Sequence, residues 1–69
     1  MSTKMAIISV AELKPENLSA LRQALEAVPG VSLVDFNLER SVAVLEFDPS
    51  QSHIDDFLHA ALKAGFKVL

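Results

Sequence analysis

The sequence contains no cysteine, tryptophan or tyrosine, and only two glycines among its 69 residues. Without cysteine, neither a disulfide nor a thiolate metal site can stabilise this small chain. Its apolar runs are only a few residues long, far short of the roughly 20 residues that a membrane-spanning helix needs. With a hydrophobic fraction of 51%, we predict a single domain, residues 1–69, held by a packed core and not inserted in a membrane.

Positive charge is also scarce. Six scattered Lys and Arg residues face nine Asp and Glu residues, and the net charge is −3. A net acidic surface is unfavourable for binding nucleic acid or an anionic membrane, so we expect neither as a partner. The stretch after Met1–Lys4 is too short for a signal peptide, and we therefore expect a cytoplasmic protein.

Four segments have the composition of strands. Met5–Val10 and the short Phe66–Leu69 are apolar, whereas Val31–Glu39 and Val42–Phe47 alternate apolar and polar residues. The connection at Arg40–Ser41 has neither Gly nor Asn, so its turn type stays open.

Two segments have helical periodicity. Pro15 opens the first, Pro29–Gly30 ends it, and Arg22 and Glu26 form a possible i,i+4 pair. Its apolar stripe consists of Leu18, Leu21, Leu25 and Val28. The second begins with a capping box of Ser52 and Asp55 and ends at Gly65. Its predicted buried stripe consists of Ile54, Phe57, Leu58, Ala61 and Leu62.

The order of elements is β-α-β-β-α-β. This order predicts an α+β fold, the ferredoxin-like two-layer sandwich, because right-handed crossovers leave one compact arrangement. We expect a four-stranded antiparallel sheet with both helices on one face.

Several stretches, in this order and spacing, resemble the heavy-metal-associated domain of copper chaperones and copper-transporting ATPases. They are Ala24–Val31, Val34–Glu39, Glu46–Pro49 and Ile54–Phe66. In that family a Met-x-Cys-x-x-Cys loop before the first helix holds a soft metal ion. The matching positions are Glu12, Lys14 and Asn17, and the aromatic that shields the metal corresponds to Phe66. The resemblance thus implies a metallochaperone-like domain that has lost its metal site, with no cofactor.

Two uses of polar residues remain open. The Lys14 ammonium could stand where the relatives hold a cation, paired with Glu12 or Glu16, or it could be an ordinary exposed lysine. A zinc or hard-ion site could also be built from oxygen and imidazole ligands. Its candidates are Glu12, Asn17, His53, Asp55, Asp56 and His59, which could equally form a plain polar surface.

The uncovered face of the sheet is the other candidate site. If Ala43, Leu45 and Phe47 point inward, Val42 and Val44 point outward, near Leu33 and one of Ile7 and Ile8, with Ile7 as the candidate. Exposed apolar patches mark interfaces, although small aliphatic residues also suit strands for their propensity alone.

No nucleophile with a base and no phosphate-binding loop appears, so we predict no enzyme. The first functional hypothesis is a protein-interaction or regulatory module, with a protein partner or a homodimer on the sheet face. The second is a protein of a metal-transport pathway. Small-ligand sensing, a third, has no residue signature.

Overall fold

The computed structural model describes residues 2–69. Strand β1 spans Lys4–Ser9, and a 3₁₀ turn at Pro15–Asn17 leads into helix α1, Leu18–Glu26. Strands β2, Val31–Asn37, and β3, Val42–Phe47, follow, and helix α2 spans Ile54–Lys63. The order of elements up to α2 is the one that the sequence predicts.

The sheet is antiparallel, with the strand order β1-β3-β2. The prediction of a four-stranded sheet is wrong for the described residues, which form three strands. The C-terminal segment does run along the free edge of β1, where Val68 bridges Val10. However, Phe66 still donates its N–H to Ala61 of α2 (2.9 Å). Only residues 67–69 are therefore left to pair, which is too short a stretch for a regular strand.

Both helices pack on one face of this sheet. Two of the core residues, Val10 and Leu13, lie in the segment after β1. The others come from the inward-facing positions of the strands and the facing positions of the helices: Ala6, Ile8, Val34, Ala43, Leu45, Phe47, Leu21, Leu25, Phe57 and Ala61. Phe47 and Phe57 join β3 to α2 through an edge-to-face ring contact, with centroids 4.9 Å apart. The architecture is the two-layer α+β sandwich expected from the order of elements.

Helix α1 buries the stripe that its periodicity predicts. Leu21 and Leu25 are fully buried, and Leu18 and Val28 pack against the core at its margins. The predicted pair of Arg22 and Glu26 is confirmed at 4.0 Å. The Arg22 guanidinium also donates to the Val34 carbonyl and lies 5.1 Å from the centre of the Phe36 ring. These contacts attach the polar side of α1 to strand β2.

Helix α2 is rotated slightly from its predicted orientation. Phe57 and Ala61 are fully buried, but Ile54 and Leu62 are 45% and 51% exposed, so their assignment to the buried stripe is wrong. Successive residues lie about 100° apart around a helix axis. The buried face extends from Ala61 toward the half-buried Ala60, which leaves Leu62 on the other flank.

The ends of α2 are set by His53 and Gly65. The His53 N–H donates to the Asp56 carboxylate (2.8 Å), so the capping residues lie one position after the predicted Ser52 and Asp55. Ser52 is instead buried, with 3% of its surface exposed. Its N–H donates to the Asp48 carbonyl (3.3 Å), so Ser52 belongs to the turn that precedes the helix and not to the helix cap. Gly65 ends the helix as predicted, in the left-handed region at φ +94°.

The turn between β2 and β3 uses a serine where a glycine or asparagine is usual. The Asn37 side chain accepts the Arg40 N–H (3.0 Å), which ends β2 two residues before the predicted Glu39. Ser41 lies in the left-handed region at φ 55°. Its hydroxyl donates to the Val10 carbonyl, and the Val10 N–H donates to the Ser41 carbonyl (2.9 Å). These bonds hold a conformation that is costly for a residue with a Cβ atom.

Candidate functional site

The loop that connects β1 to α1 has a defined path. Leu13 is buried and anchors it to the core. Glu12, just before, lies in the left-handed region at φ 58°. Lys14 is extended, as expected of a residue that precedes proline, and Pro15 opens the 3₁₀ turn. The loop therefore turns sharply at Glu12 and enters the helix at Pro15.

Asn17 closes this loop with its side chain. The Lys14 N–H donates to the Asn17 Oδ1 atom (2.9 Å), and the Asn17 Nδ2 atom donates to the Glu12 carbonyl (3.0 Å). The Asn17 N–H also donates to the Lys14 carbonyl (3.0 Å). The three positions that the resemblance assigns to the metal loop are thus joined to each other by hydrogen bonds, and one amide group serves two of them.

Lys14 takes part in this arrangement through its main chain. Across residues 2–69, the one ion pair within 4.0 Å joins Arg22 to Glu26. Of the two alternatives for Lys14, the pairing of its ammonium with Glu12 or Glu16 is thus absent from residues 2–69. Lys14 is exposed, and exposed ion pairs contribute too little energy to fix a long, flexible side chain.

A hollow of about 390 Å³ lies beside the loop. Glu12 and Asn17 line it from the loop side, and Gly65, Phe66 and Lys67 line it from the segment after α2. Phe66 is half-buried and packs against the core. The structure thus places the aromatic side chain next to the loop, at the end of the molecule where the resemblance implies a metal-shielding residue.

The outer face of the sheet is the side that the helices leave uncovered. Its apolar residues are Met5, Ile7, Leu33, Val42 and Val44, and its polar residues are Ser9, Asp35, Asn37 and Glu46. Met5 and Ile7 are 65% and 64% exposed, and Leu33 is 47% exposed. Ile8 is buried, so Ile7 is the outward-facing isoleucine. Sequence reasoning missed Met5, although it lies two positions before Ile7 in the same strand.

Comparison with protein-family models and with curated proteins gave no match. Solved structures do match. Oxidized MerP from Ralstonia metallidurans CH34 is 26% identical, with a TM-score of 0.88 over 99% of this chain and 96% of its own. The CopZ metallochaperone is 25% identical, with a TM-score of 0.89 over 96% of this chain and 100% of its own.

The expected resemblance to the heavy-metal-associated domain is confirmed. A copper binding domain from HMA7, a P-type ATPase, shares the fold at 24% identity, with a TM-score of 0.83 over 94% of this chain and 92% of its own. This chain differs from the pattern that the resemblance implies, since it contains no cysteine.

A soft metal ion does not fit the loop of this heavy-metal-associated-like domain. The amide of Asn17 is engaged with Lys14 and Glu12, and no thiolate is available. The alternative of a site built from oxygen and imidazole ligands finds no support: within residues 2–69, no three His, Asp or Glu side chains are grouped so that they could hold a metal ion.

The length of helix α2 explains why the predicted ligands do not meet. Glu12 and Asn17 lie beside Gly65, past the end of α2, whereas His53 and Asp55 lie at its start. The helix has 10 residues and is therefore about 15 Å long. In addition, the Asp56 carboxylate is already used to accept the His53 N–H.

A shallow groove of about 890 Å³ between the two helices is a feature that sequence reasoning missed. Ala24 of α1, Ala27 directly after this helix, and Asp56, His59 and Ala60 of α2 are among the residues that line it. The sequence signal that could have indicated this groove is the set of small residues at positions where the two helices face each other. Among residues 2–69, the buried Ser52 Oγ atom at this groove has no hydrogen-bond partner.

No helix within residues 2–69 has the length and apolar character needed to cross a membrane.

Proposed function

We propose that this chain is a metallochaperone-like domain that has lost its Cys-x-x-Cys site and acts as a non-enzymatic protein-interaction or regulatory module in the cytoplasm. The observation that carries the proposal is the closed loop. The Asn17 side chain bonds to the main chain of Lys14 and Glu12, so the loop is stable without a metal ion. The fold is retained while the chemistry of its usual site is absent.

The outer face of the sheet is the surface through which we propose that the domain binds a partner protein or a second copy. Antiparallel sheets usually present polar side chains on their open face. Here Met5, Ile7 and Leu33 are about half or more exposed beside the half-buried Val42 and Val44. Contiguous exposed apolar residues of this kind tend to mark protein interfaces.

The arrangement of side chains supports a non-enzymatic role. In the described part of the chain, the hydrogen bonds between side chains run from Ser50 and Gln51 to the Asp48 carboxylate. They order the loop between β3 and α2. Activation of a nucleophile requires a base within hydrogen-bonding reach, and His53 and His59 make no such contact with a hydroxyl group in residues 2–69.

Site-specific cross-linking tests this proposal. A photo-reactive amino acid replaces Ile7 in one variant and Leu62 in a control, which is 51% exposed but lies on the helix layer. In cells, we expect a discrete adduct from position 7 and none from position 62. The mass of the adduct separates a dimer from a partner complex. Equal labelling from both positions, or none from position 7, would contradict the proposal.

A role in a metal-transport pathway is the second candidate. It is favoured by the fold similarity to the CopZ metallochaperone and to the copper binding domain of a P-type ATPase. In this case the domain would dock to other proteins of the pathway and not bind the ion itself. Sedimentation equilibrium with and without added Cu(I) tests direct participation of the ion: we expect the same mass in both conditions, and a metal-dependent mass would show that the ion itself takes part.

A further inference from the structure

The outer face carries charge of one sign. In the register of the sheet, Glu46 of β3 lies between Met5 of β1 and Leu33 of β2. In the next row, Val44 lies between Ile7 and Asp35. The nine positions of this face thus contain two carboxylates and no lysine or arginine. Within residues 2–69, neither carboxylate forms an ion pair.

The basic residues nearest to this face are Lys4, Arg40 and Lys67. Lys4 precedes Met5 in β1, but it pairs with Phe47 and therefore has a position that faces the helix layer. Arg40 belongs to the turn between β2 and β3, where Glu39 is its neighbour. Lys67 pairs through its backbone with Ala11, which is six residues from Met5 and therefore about 20 Å along the strand direction. None of the three occupies an outward-facing position beside Glu46 in the sheet, so the centre of the face stays negative.

A second copy of the chain is a poor occupant for this surface. Contact between the outer faces of two copies would bring together four carboxylates, two from each copy. Two of the four belong to Glu46, which lies between Met5 and Leu33 in each copy. Removing an unpaired carboxylate from water is costly, and like charges in a desolvated interface repel. The apolar residues alone would favour such a dimer, but Glu46 stands between Met5 and Leu33 and opposes it.

We propose that the outer face binds a different protein whose docking surface combines apolar side chains with lysine or arginine. A cation opposite Glu46 would compensate the carboxylate that otherwise prevents burial of Met5 and Leu33. Arginine suits this place best, because its guanidinium pairs with a carboxylate through two hydrogen bonds and is weakly hydrated. This inference rests on the proposed function and names the partner of the same surface.

The size of the face indicates a transient complex. Nine residues are well below the roughly 20–30 residues per side of a standard interface. Electrostatic complementarity across an interface increases the rate of complex formation and the specificity. We therefore expect the affinity to fall as ionic strength rises.

Self-association is the first test. The wild-type chain should sediment as a monomer, whereas the double variant Glu46→Gln/Asp35→Asn should form a dimer that the further change Ile7→Glu abolishes. A control with the same change of charge, Glu16→Gln/Asp55→Asn, should stay monomeric. A wild-type dimer that Ile7→Glu abolishes would overturn the inference of a cationic partner, although the proposed function through this face would stand.

Peptide binding is the second test. The probes are a short peptide of alternating leucine and lysine and a matched peptide with glutamine in place of lysine, followed by NMR. The lysine peptide should shift the methyl signals of Ile7 and Leu33 and bind about tenfold more tightly than the glutamine peptide. Glu46→Lys should remove this preference, and the control Glu16→Lys should keep it.

The outcomes of the peptide test separate the two proposals. Equal binding of both peptides at Ile7 and Leu33 would overturn the cationic partner and leave the apolar docking surface in place. Binding of neither peptide to the outer face, together with no dimer of the double variant Glu46→Gln/Asp35→Asn, would overturn both.

Discussion

Replacement of Asn17 by alanine tests how the loop is held. The variant loses the bond from the Lys14 N–H to Asn17 Oδ1 and the bond from Nδ2 to the Glu12 carbonyl. Each such bond contributes about 0.5–1.5 kcal/mol net, and the exposed setting places both near the lower end. We expect the free energy of unfolding to fall by about 1–2 kcal/mol.

Urea denaturation and thermal melting measure this loss. For a chain of this size, 1 kcal/mol corresponds to a shift of about 4–8 °C in the melting temperature. Asn17→Asp is the matched control, because it keeps the acceptor for the Lys14 N–H and loses only the donor to Glu12. It should lose about half as much. If Asn17→Ala were as stable as the wild type, the hydrogen bonds of Asn17 would not be what closes the loop.

Two further predictions concern Gly30 and Asp48, at the end of the molecule opposite the loop. Gly30 has φ +88°, and a Cβ atom there would lie 2.8 Å from the Gln51 Cβ atom, so Gly30→Ala should cost about 2–4 kcal/mol in urea denaturation. Gly65 is the control, because it has φ +94° and nothing lies within 4 Å of an added Cβ atom. Gly65→Ala should lower the free energy of unfolding by only about 1–2 kcal/mol. Equal losses of stability in the two variants would refute the close contact between position 30 and Gln51. Hydrogen bonds from Ser50 and Gln51 lower the pKa of the Asp48 carboxyl. The ionised Asp48 carboxylate should therefore stabilise the folded state at neutral pH, and this stabilisation should be lost as the pH falls through the lowered pKa. The stability difference between wild type and Asp48→Asn should vanish in acid, and a difference independent of pH would contradict this assignment.

Local patterns in the sequence predict much of the fold. Strand β3 has the predicted bounds Val42–Phe47, and the stripe of α1 centres on Leu21 and Leu25 as expected. Both depend on periodicity and on burial of one face, which a sequence displays directly. The outward orientation of Ile7 follows from the same alternation once the register to Val44 is known.

Such patterns do not predict features that depend on contacts between residues far apart in the sequence. The pairing of residues 67–69 with β1 depends on where Phe66 leaves α2. The rotation of α2, which exposes Leu62, depends on how it packs against α1. The closure of the loop by Asn17 is a matter of side-chain geometry: the spacing of Glu12, Lys14 and Asn17 identifies the positions but not the hydrogen bonds between them.

Titration of Cu(I) into the wild-type chain and into Lys14→Cys/Asn17→Cys tests the central claim most directly. Two thiolates at the start of the helix would restore the soft ligands, and the helix N-terminus would favour their negative charge. We expect no heat of binding with the wild type and stoichiometric binding with the double variant. Tight binding of Cu(I) by the wild type would contradict the proposal that the hydrogen bonds of Asn17 close the loop and that the loop binds no metal ion.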